Sequence, residues 1–214
     1  MRRAAAIAGL VIGLAGLGID FWMIVPVLMA PSEVNPEPRS FLDAFITFWT
    51  YFTHLSNLGL VLVYAAELTP WRGLGWFRKP QTRALMGGYI LFVMLYYHFM
   101  LAPYLEFEGP LLVATILLHY VAPLYYLGWW AMFAPHGVLR LRDVPPMLVP
   151  GLLYVAWALA RGAVTGEYPY DMLDAGKYGY AQVATGVGVL LIFVAGFCTL
   201  IVSADKLFAR VSTA

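Results

Sequence analysis

Charged residues are scarce in this chain: Asp, Glu, Lys and Arg make up 12% of its 214 residues, against about 25% in a typical soluble domain. Cysteine is scarcer still, because Cys198 is the single one, so no disulfide can form within the chain. The sequence also lacks a glycine-rich phosphate loop, a cysteine cluster and a pair of histidines one helical turn apart. We therefore expect no metal or other cofactor. A formal net charge of +1 gives no reason to expect a nucleic-acid partner.

Apolar residues are abundant instead, at 62% of the chain. They are concentrated in blocks that approach the roughly 20 residues a helix needs to cross a bilayer. The blocks cover about 4–30, 41–68, 83–104, 110–133, 145–162 and 178–204. The sequence predicts an all-α polytopic membrane protein with six transmembrane helices in one bundle. This single domain covers residues 1–214, and membrane lipids are its expected surroundings.

The distribution of Lys and Arg predicts how this bundle lies in the membrane. If the N-terminus is cytoplasmic, ten of the cations fall on the inner side and three on the outer side. The inner set is Arg2, Arg3, Arg72, Arg78, Lys79, Arg83, Arg140, Arg142, Lys206 and Arg210, and the outer set is Arg39, Arg161 and Lys177. We therefore expect both termini to be cytoplasmic.

The second block carries many polar residues in the stretch YFTHLSNLGL (51–60). On one continuous helix, its polar side chains share an arc of about 120°, whereas Ser56 falls outside that arc. The residues on the arc are Asp43, Thr47, Thr50, Thr53, His54, Asn57 and Tyr64. Lipid offers these groups no hydrogen-bond partner, so the stripe is predicted to face protein or a water-filled cavity. Interhelical hydrogen bonding is the structural alternative for each single Thr.

The first block has a glycine face that also carries a carboxylate. Gly9, Gly13, Gly16 and Asp20 fall within about 60° of one another on a helix. Such a face permits close contact with a neighbouring helix. It predicts that Asp20 lies inside the bundle, and its estimated depth places it near His98 of the third block.

His119 lies in LLHYVAP of the fourth block, at about the same depth in the membrane as Thr53. Pro123 comes four residues later, so it removes the backbone hydrogen bond to the His119 carbonyl and favours a kink. A histidine at an irregular backbone position beside a polar stripe is a candidate for function.

The loop GEYPYDMLDAGKYGY (166–180) is rich in turn residues and is predicted to lie outside. Its acidic residues Asp171 and Asp174 are expected partners for Arg161. One interpretation is an interfacial turn anchored by tyrosines. The other is a lid over a cavity that opens outward.

Together, YFTHLSNLGL, LLHYVAPL and RGAVTGEYPYDMLD resemble the bacterial branch of the androgen-induced protein and androgen-dependent TFPI-regulating protein family. The resemblance in hydrophobic layout covers nearly the whole chain. Animal members are multi-pass hydrolases of fatty acid esters of hydroxy fatty acids, and they use an intramembrane Thr and His. The resemblance thus implies Thr53 as nucleophile, His119 as base and a fatty acyl ester as substrate. Alignment on Asn57–Leu58 instead moves the nucleophile position to His54.

Elementary chemistry agrees with such a pair, because a Thr hydroxyl needs a base to take its proton. Ser56 stays open as an alternative nucleophile. Acyl transfer also needs oxyanion donors, for which Asn57 or a tyrosine hydroxyl would serve. His54 and Tyr126 are supporting candidates. Asp20, His98 and Arg161 are further supporting candidates.

Two other functions compete with the hydrolase. One is a lipid or small-solute binding or transport protein that performs no chemistry. The other is a haem protein in which two of His54, His98 and His119 are axial ligands.

Overall fold

The computed structural model describes residues 1–31 and 36–211, and this part of the chain is all-α, with no strand. The α-helices, in chain order, are α1 (Arg2–Met29), α2 (Phe41–Phe48), α3 (Phe52–Leu68), α4 (Gly75–Arg78), α5 (Pro80–Tyr96), α6 (Gly109–Ile116), α7 (Ala122–Phe133), α8 (Val144–Thr165), α9 (Ala175–Tyr178) and α10 (Tyr180–Val211). A π-helical turn, Tyr97–Leu101, extends α5, and a second, Leu117–Val121, joins α6 to α7.

Five helical segments in the described residues are long and apolar enough to cross a membrane. They are Arg2–Met29, Pro80–Tyr104, Gly109–Phe133, Leu141–Thr165 and Tyr180–Arg210. Their length and composition are consistent with a multi-pass membrane protein. They agree with five of the six predicted blocks, to within a few residues at most ends.

The second predicted block, 41–68, is not one helix. It forms α2 and the 17-residue α3, separated by non-helical backbone at residues 49–51, here called the break. The α3 helix is apolar but shorter than the other spans. In the described part of the chain, five helices of full membrane length are seen rather than six. The single arc drawn through Asp43 and Tyr64 also fails, since it assumed a continuous helix.

Contacts between charged side chains identify the two ends of the bundle. Arg2 and Arg83 both form ion pairs with Glu67, which brings the start of α1, the end of α3 and the start of α5 together. We call this the Arg2 end. At the other end, Arg39 pairs with Glu167, which follows α8. We call it the Glu167 end.

The main core surrounds α5, which packs against α3, α7, α8 and α10. Glycines on α5 permit close approach of α10: a Cβ at Gly88 would lie 2.7 Å from the sulfur of Cys198. Cys198 is fully buried, as expected for a core thiol.

Candidate functional site

The break between α2 and α3 exposes backbone groups that side chains then satisfy. The Phe48 carbonyl lies 2.6 Å from Nδ1 of His54, and the Thr50 carbonyl accepts a hydrogen bond from the Tyr154 hydroxyl at 3.0 Å. Unpaired backbone polar groups are costly in hydrocarbon, so an irregular segment survives only where protein supplies partners. Part of the polar stretch that the sequence placed on one helix therefore serves to stabilise this break.

The free amides at the start of α3 are satisfied by a residue from the 166–180 loop. The Phe52 amide donates to the Tyr170 hydroxyl at 3.0 Å. Thr53, the next residue, lines the same cavity as Tyr170. Burial raises the pKa of Tyr170 to about 12, so its hydroxyl stays neutral at physiological pH. Tyr170 thus caps α3 and brings the loop onto Thr53.

The glycine face of α1 packs on α3 and determines where Asp20 lies. A Cβ at Gly9 would fall 2.3 Å from the ring of Tyr64, and one at Gly13 would fall 2.6 Å from Val61. Residue numbers on α3 fall as those on α1 rise, so the two helices are antiparallel. This register brings the carboxylate of Asp20 within 2.8 Å of His54.

Asp20 is buried, as predicted, but its partner is His54 and not His98. An estimate of depth could not distinguish between neighbouring helices at similar heights. Both ring nitrogens of His54 are engaged, one with a carbonyl and one with a carboxylate. A carbonyl only accepts, so Nδ1 donates to the Phe48 carbonyl, while Nε2 contacts the Asp20 carboxylate. His54 therefore offers no free nitrogen to a substrate or a haem iron.

Thr53 lies on the wall of a cavity between α3, α5, α8 and α10, which we call the aromatic cavity. The cavity volume is about 80 Å³, and one side of the cavity is open. Its lining is mostly tyrosine, phenylalanine and aliphatic side chains, and the loop residues Tyr170, Met172 and Leu173 form part of its wall. The loop therefore contributes to a cavity, and its action as a lid stays a prediction. Apolar walls with a few polar groups are typical of ligand sites.

His119 lies in the π-helical turn Leu117–Val121, which ends two residues before Pro123. The backbone irregularity predicted there is present, although it is a wide turn rather than a simple kink. Nδ1 of His119 lies 3.0 Å from the Thr115 carbonyl, so this nitrogen carries the proton of a neutral ring and Nε2 is left as an acceptor. The ring stacks on Tyr97 at 3.8 Å between centroids.

Thr53 and His119 are neighbours but not hydrogen-bonded to each other in the described part of the chain. Tyr97 lines the aromatic cavity, and His119 lies against Tyr97 rather than on the cavity wall. Asn57 connects the two segments, since its Nδ2 donates to the carbonyls of Thr53 and Leu118 at 2.9 and 3.1 Å. With both amide hydrogens engaged, Asn57 cannot act as the predicted oxyanion donor in this state.

The remaining predicted residues lie apart from the cavity. His98 is exposed and contacts the Tyr120 hydroxyl at 3.1 Å. Tyr126 is fully buried and donates to the Arg83 carbonyl near the Arg2 end. Ser56 is buried and does not line the aromatic cavity, and its Oγ has no partner among the described residues.

Arg161 belongs to a second, polar cavity of about 390 Å³ at the Glu167 end. It does not pair with Asp171 or Asp174. It contacts the Glu167 carboxylate at 3.5 Å and donates to the Thr47 hydroxyl at 2.9 Å. Asp171 is instead held by Lys177, whose ammonium group lowers the pKa of that carboxyl.

Sequence reasoning missed Tyr170 and Tyr154 as partners of the break. The Tyr-Pro-Tyr turn was visible at 168–170, but nothing in the sequence indicated that Tyr170 reaches the start of α3. Tyr154 lies within an apolar block, and no feature of the neighbouring sequence predicts its contact with the break.

Comparison of the chain with protein-family models, with curated proteins and with solved structures finds no match.

Proposed function

We propose that the protein binds the acyl chain of a lipid in the aromatic cavity. The observation that carries the proposal is the cavity itself: its walls are mostly apolar, one side is open, and the 166–180 loop forms part of its wall. The cavity borders the break, and discontinuous membrane helices commonly form binding sites.

The same proposal includes the membrane arrangement. We infer that α2 and α3 together cross the bilayer as a sixth, interrupted span. The Arg2 end is then cytoplasmic and the Glu167 end external, which is supported by the ten-to-three distribution of Lys and Arg.

Filling the cavity tests the binding proposal. Leu190 lines it from α10, so Leu190→Trp places an indole in the space for the chain. Ile192, two residues along the same helix, is 74% exposed, and Ile192→Trp is the matched control. We expect the Leu190 variant to lose most photo-crosslinking to a diazirine-labelled fatty alcohol, and the control to retain it. Equal labelling of both variants and the wild type would reject the cavity as the binding site.

Hydrolysis of a fatty acyl ester is a second candidate function, favoured by the position of one hydroxyl. Thr53 adds a nucleophilic group to an otherwise apolar wall, at the start of α3, where the Phe52 amide would become available to an oxyanion once Tyr170 moves away. In this reading, Nε2 of His119 takes the Thr53 proton, the hydroxyl oxygen attacks the ester carbonyl, and the alcohol leaves with the proton. Water then releases the fatty acid. Tyr170 and Tyr97 must shift before His119 reaches Thr53.

Single and double substitutions test this chemistry. Thr53→Ala and His119→Ala should each remove most turnover of a fatty acyl ester panel. The double variant should be little worse than either, because nucleophile and base act as a unit. Thr185→Ala, on an exposed face of α10, is the control. Folded Thr53 and His119 variants with wild-type turnover, or a wild type with none, would eliminate the hydrolase and leave the binding function.

A further inference from the structure

The polar cavity contains two arginines that share one carboxylate. Nη2 of Arg39 contacts one oxygen of Glu167, and Nη2 of Arg161 contacts the other. All three side chains are largely shielded from solvent, with exposed fractions of 14%, 14% and 23%. Thr47, Thr50 and Tyr51 contribute further polar groups to the lining.

The arginines outnumber the carboxylate within this cluster, because two guanidinium groups face the one carboxylate of Glu167. Of the other acids that line the polar cavity, Asp171 pairs with Lys177, and the Asp174 carboxylate accepts a hydrogen bond from the backbone amide of residue 177. The other buried carboxylate of this region, Asp20, is paired with His54. Partly desolvated guanidinium groups favour an anionic ligand.

The two arginines also retain hydrogen-bonding capacity. Arg39 donates to the Leu28 carbonyl and to Glu167, which uses two of the five N–H groups of a guanidinium. Arginine binds carboxylates and phosphates through paired N–H groups of this kind.

The polar cavity adjoins the aromatic cavity at the break. Tyr51 lines the former and Tyr170 the latter, and their rings are in edge contact at 5.9 Å. This pair of rings forms the partition between the cavities. Neither ring lies within a regular helix, so rotation of either would not require a helix to unwind.

We propose that Arg39 and Arg161 bind the anionic head group, a carboxylate or a phosphate, of the lipid whose chain occupies the aromatic cavity. The inference rests on the proposed lipid-binding function and specifies its ligand as an acidic lipid with a single chain. Glu167 occupies the anion position in the unliganded protein and competes with the head group.

The contribution of the head group to binding can be separated from that of the chain with three ligands of one chain length. They are dodecanoate, dodecyl phosphate and dodecanol. Each is titrated into the full-length protein in detergent, with displacement of a fluorescent fatty alcohol as the readout. We expect at least one of the two anions to bind more tightly than dodecanol. Arg161→Gln should weaken that anion about tenfold or more, as expected for loss of a charge-assisted contact, and leave dodecanol unchanged. Lys206→Gln, which removes an exposed cation that lines neither cavity, is the control and should change nothing.

For Glu167→Gln we expect the opposite effect on anion binding. A gain in affinity cannot result from misfolding, so this variant keeps the test valid even if Arg161→Gln fails to fold. Removing the competing carboxylate should tighten anion binding several-fold. If Glu167→Gln weakens it, or if the anions bind no better than dodecanol, the head-group site is wrong even though chain binding stands. If none of the three ligands binds to the wild type, the lipid-binding function itself fails. Preference for dodecanoate over dodecyl phosphate, or the reverse, identifies which anion the site takes.

Discussion

At the scale of single residues, buried histidines of this protein stabilise irregular backbone. His54 connects the Phe48 carbonyl to Asp20, and His136 repeats the arrangement, with Nε2 on the Ala131 carbonyl and Nδ1 on Asp205. In each case one imidazole joins a carbonyl at a helix end to a carboxylate on another helix. Such groups are stabilising only as complete sets, because a lone buried charge is costly.

Removal of Asp20 should therefore reveal this contribution. We expect Asp20→Leu to lower the free energy of unfolding by about 3 kcal/mol, since it leaves the His54 ring without its charged partner. The measurement is thermal or denaturant unfolding in detergent. Trp22→Leu, at a residue that is 78% exposed on the same helix, is the control. If Asp20→Leu is as mild as the control, the pair makes no net contribution to stability.

At the scale of helices, the close contact between α1 and α3 determines the register of the site. Gly9 and Gly13 let α1 approach the Tyr64 and Val61 side chains. Because the helices are antiparallel, this contact places Asp20, later on α1, beside His54, near the start of α3. The glycines are thus needed for space rather than for unusual backbone angles, because none of these positions has a positive φ.

Adding a methyl group at the contact should separate the helices. We expect Gly9→Ala to cost about 1–3 kcal/mol, the range for overpacking a tight interface, because its Cβ would fall 2.3 Å from the Tyr64 ring. Gly18→Ala on the same helix meets no atom within 4 Å and should be neutral or slightly stabilising. Unfolding in detergent measures both. Equal stabilities would show that α1 does not pack as described.

At the scale of the whole molecule, cations accumulate at the Arg2 end, while the Glu167 end carries the loop that forms part of the wall of both cavities. If the protein binds a lipid as proposed, we expect the ligand to enter the cavities from the Glu167 side. Opposite orientation in the membrane would reverse the side from which the ligand arrives.

Cysteine labelling tests that orientation in intact cells. Lys177→Cys places a thiol in an exposed part of the loop at the Glu167 end, and Arg140→Cys places one at the other end. An impermeant maleimide should label the first without permeabilisation and the second only after it. Native Cys198 is fully buried and should stay unlabelled. The reverse pattern would invert the topology.

The sequence by itself determined the all-α class, the approximate limits of five membrane helices, the inward position of Asp20 and the irregular backbone at His119. These features depend on local quantities: the length of apolar blocks, the spacing of glycines along one helix, and a proline four residues after a carbonyl. Each can be evaluated without knowing which segments become neighbours.

Only the tertiary structure decided that the second block is broken, that Asp20 pairs with His54, and that Tyr170 caps α3 beside Thr53. A break in an apolar helical segment needs side chains that satisfy its free backbone groups, and here two of them, Tyr154 of α8 and Tyr170 of the 166–180 loop, lie about a hundred residues away along the chain. The local sequence around residues 49–51 does not indicate which distant side chains become these partners. The site is built from the break and its partners, so its composition emerges only when the helices are packed together.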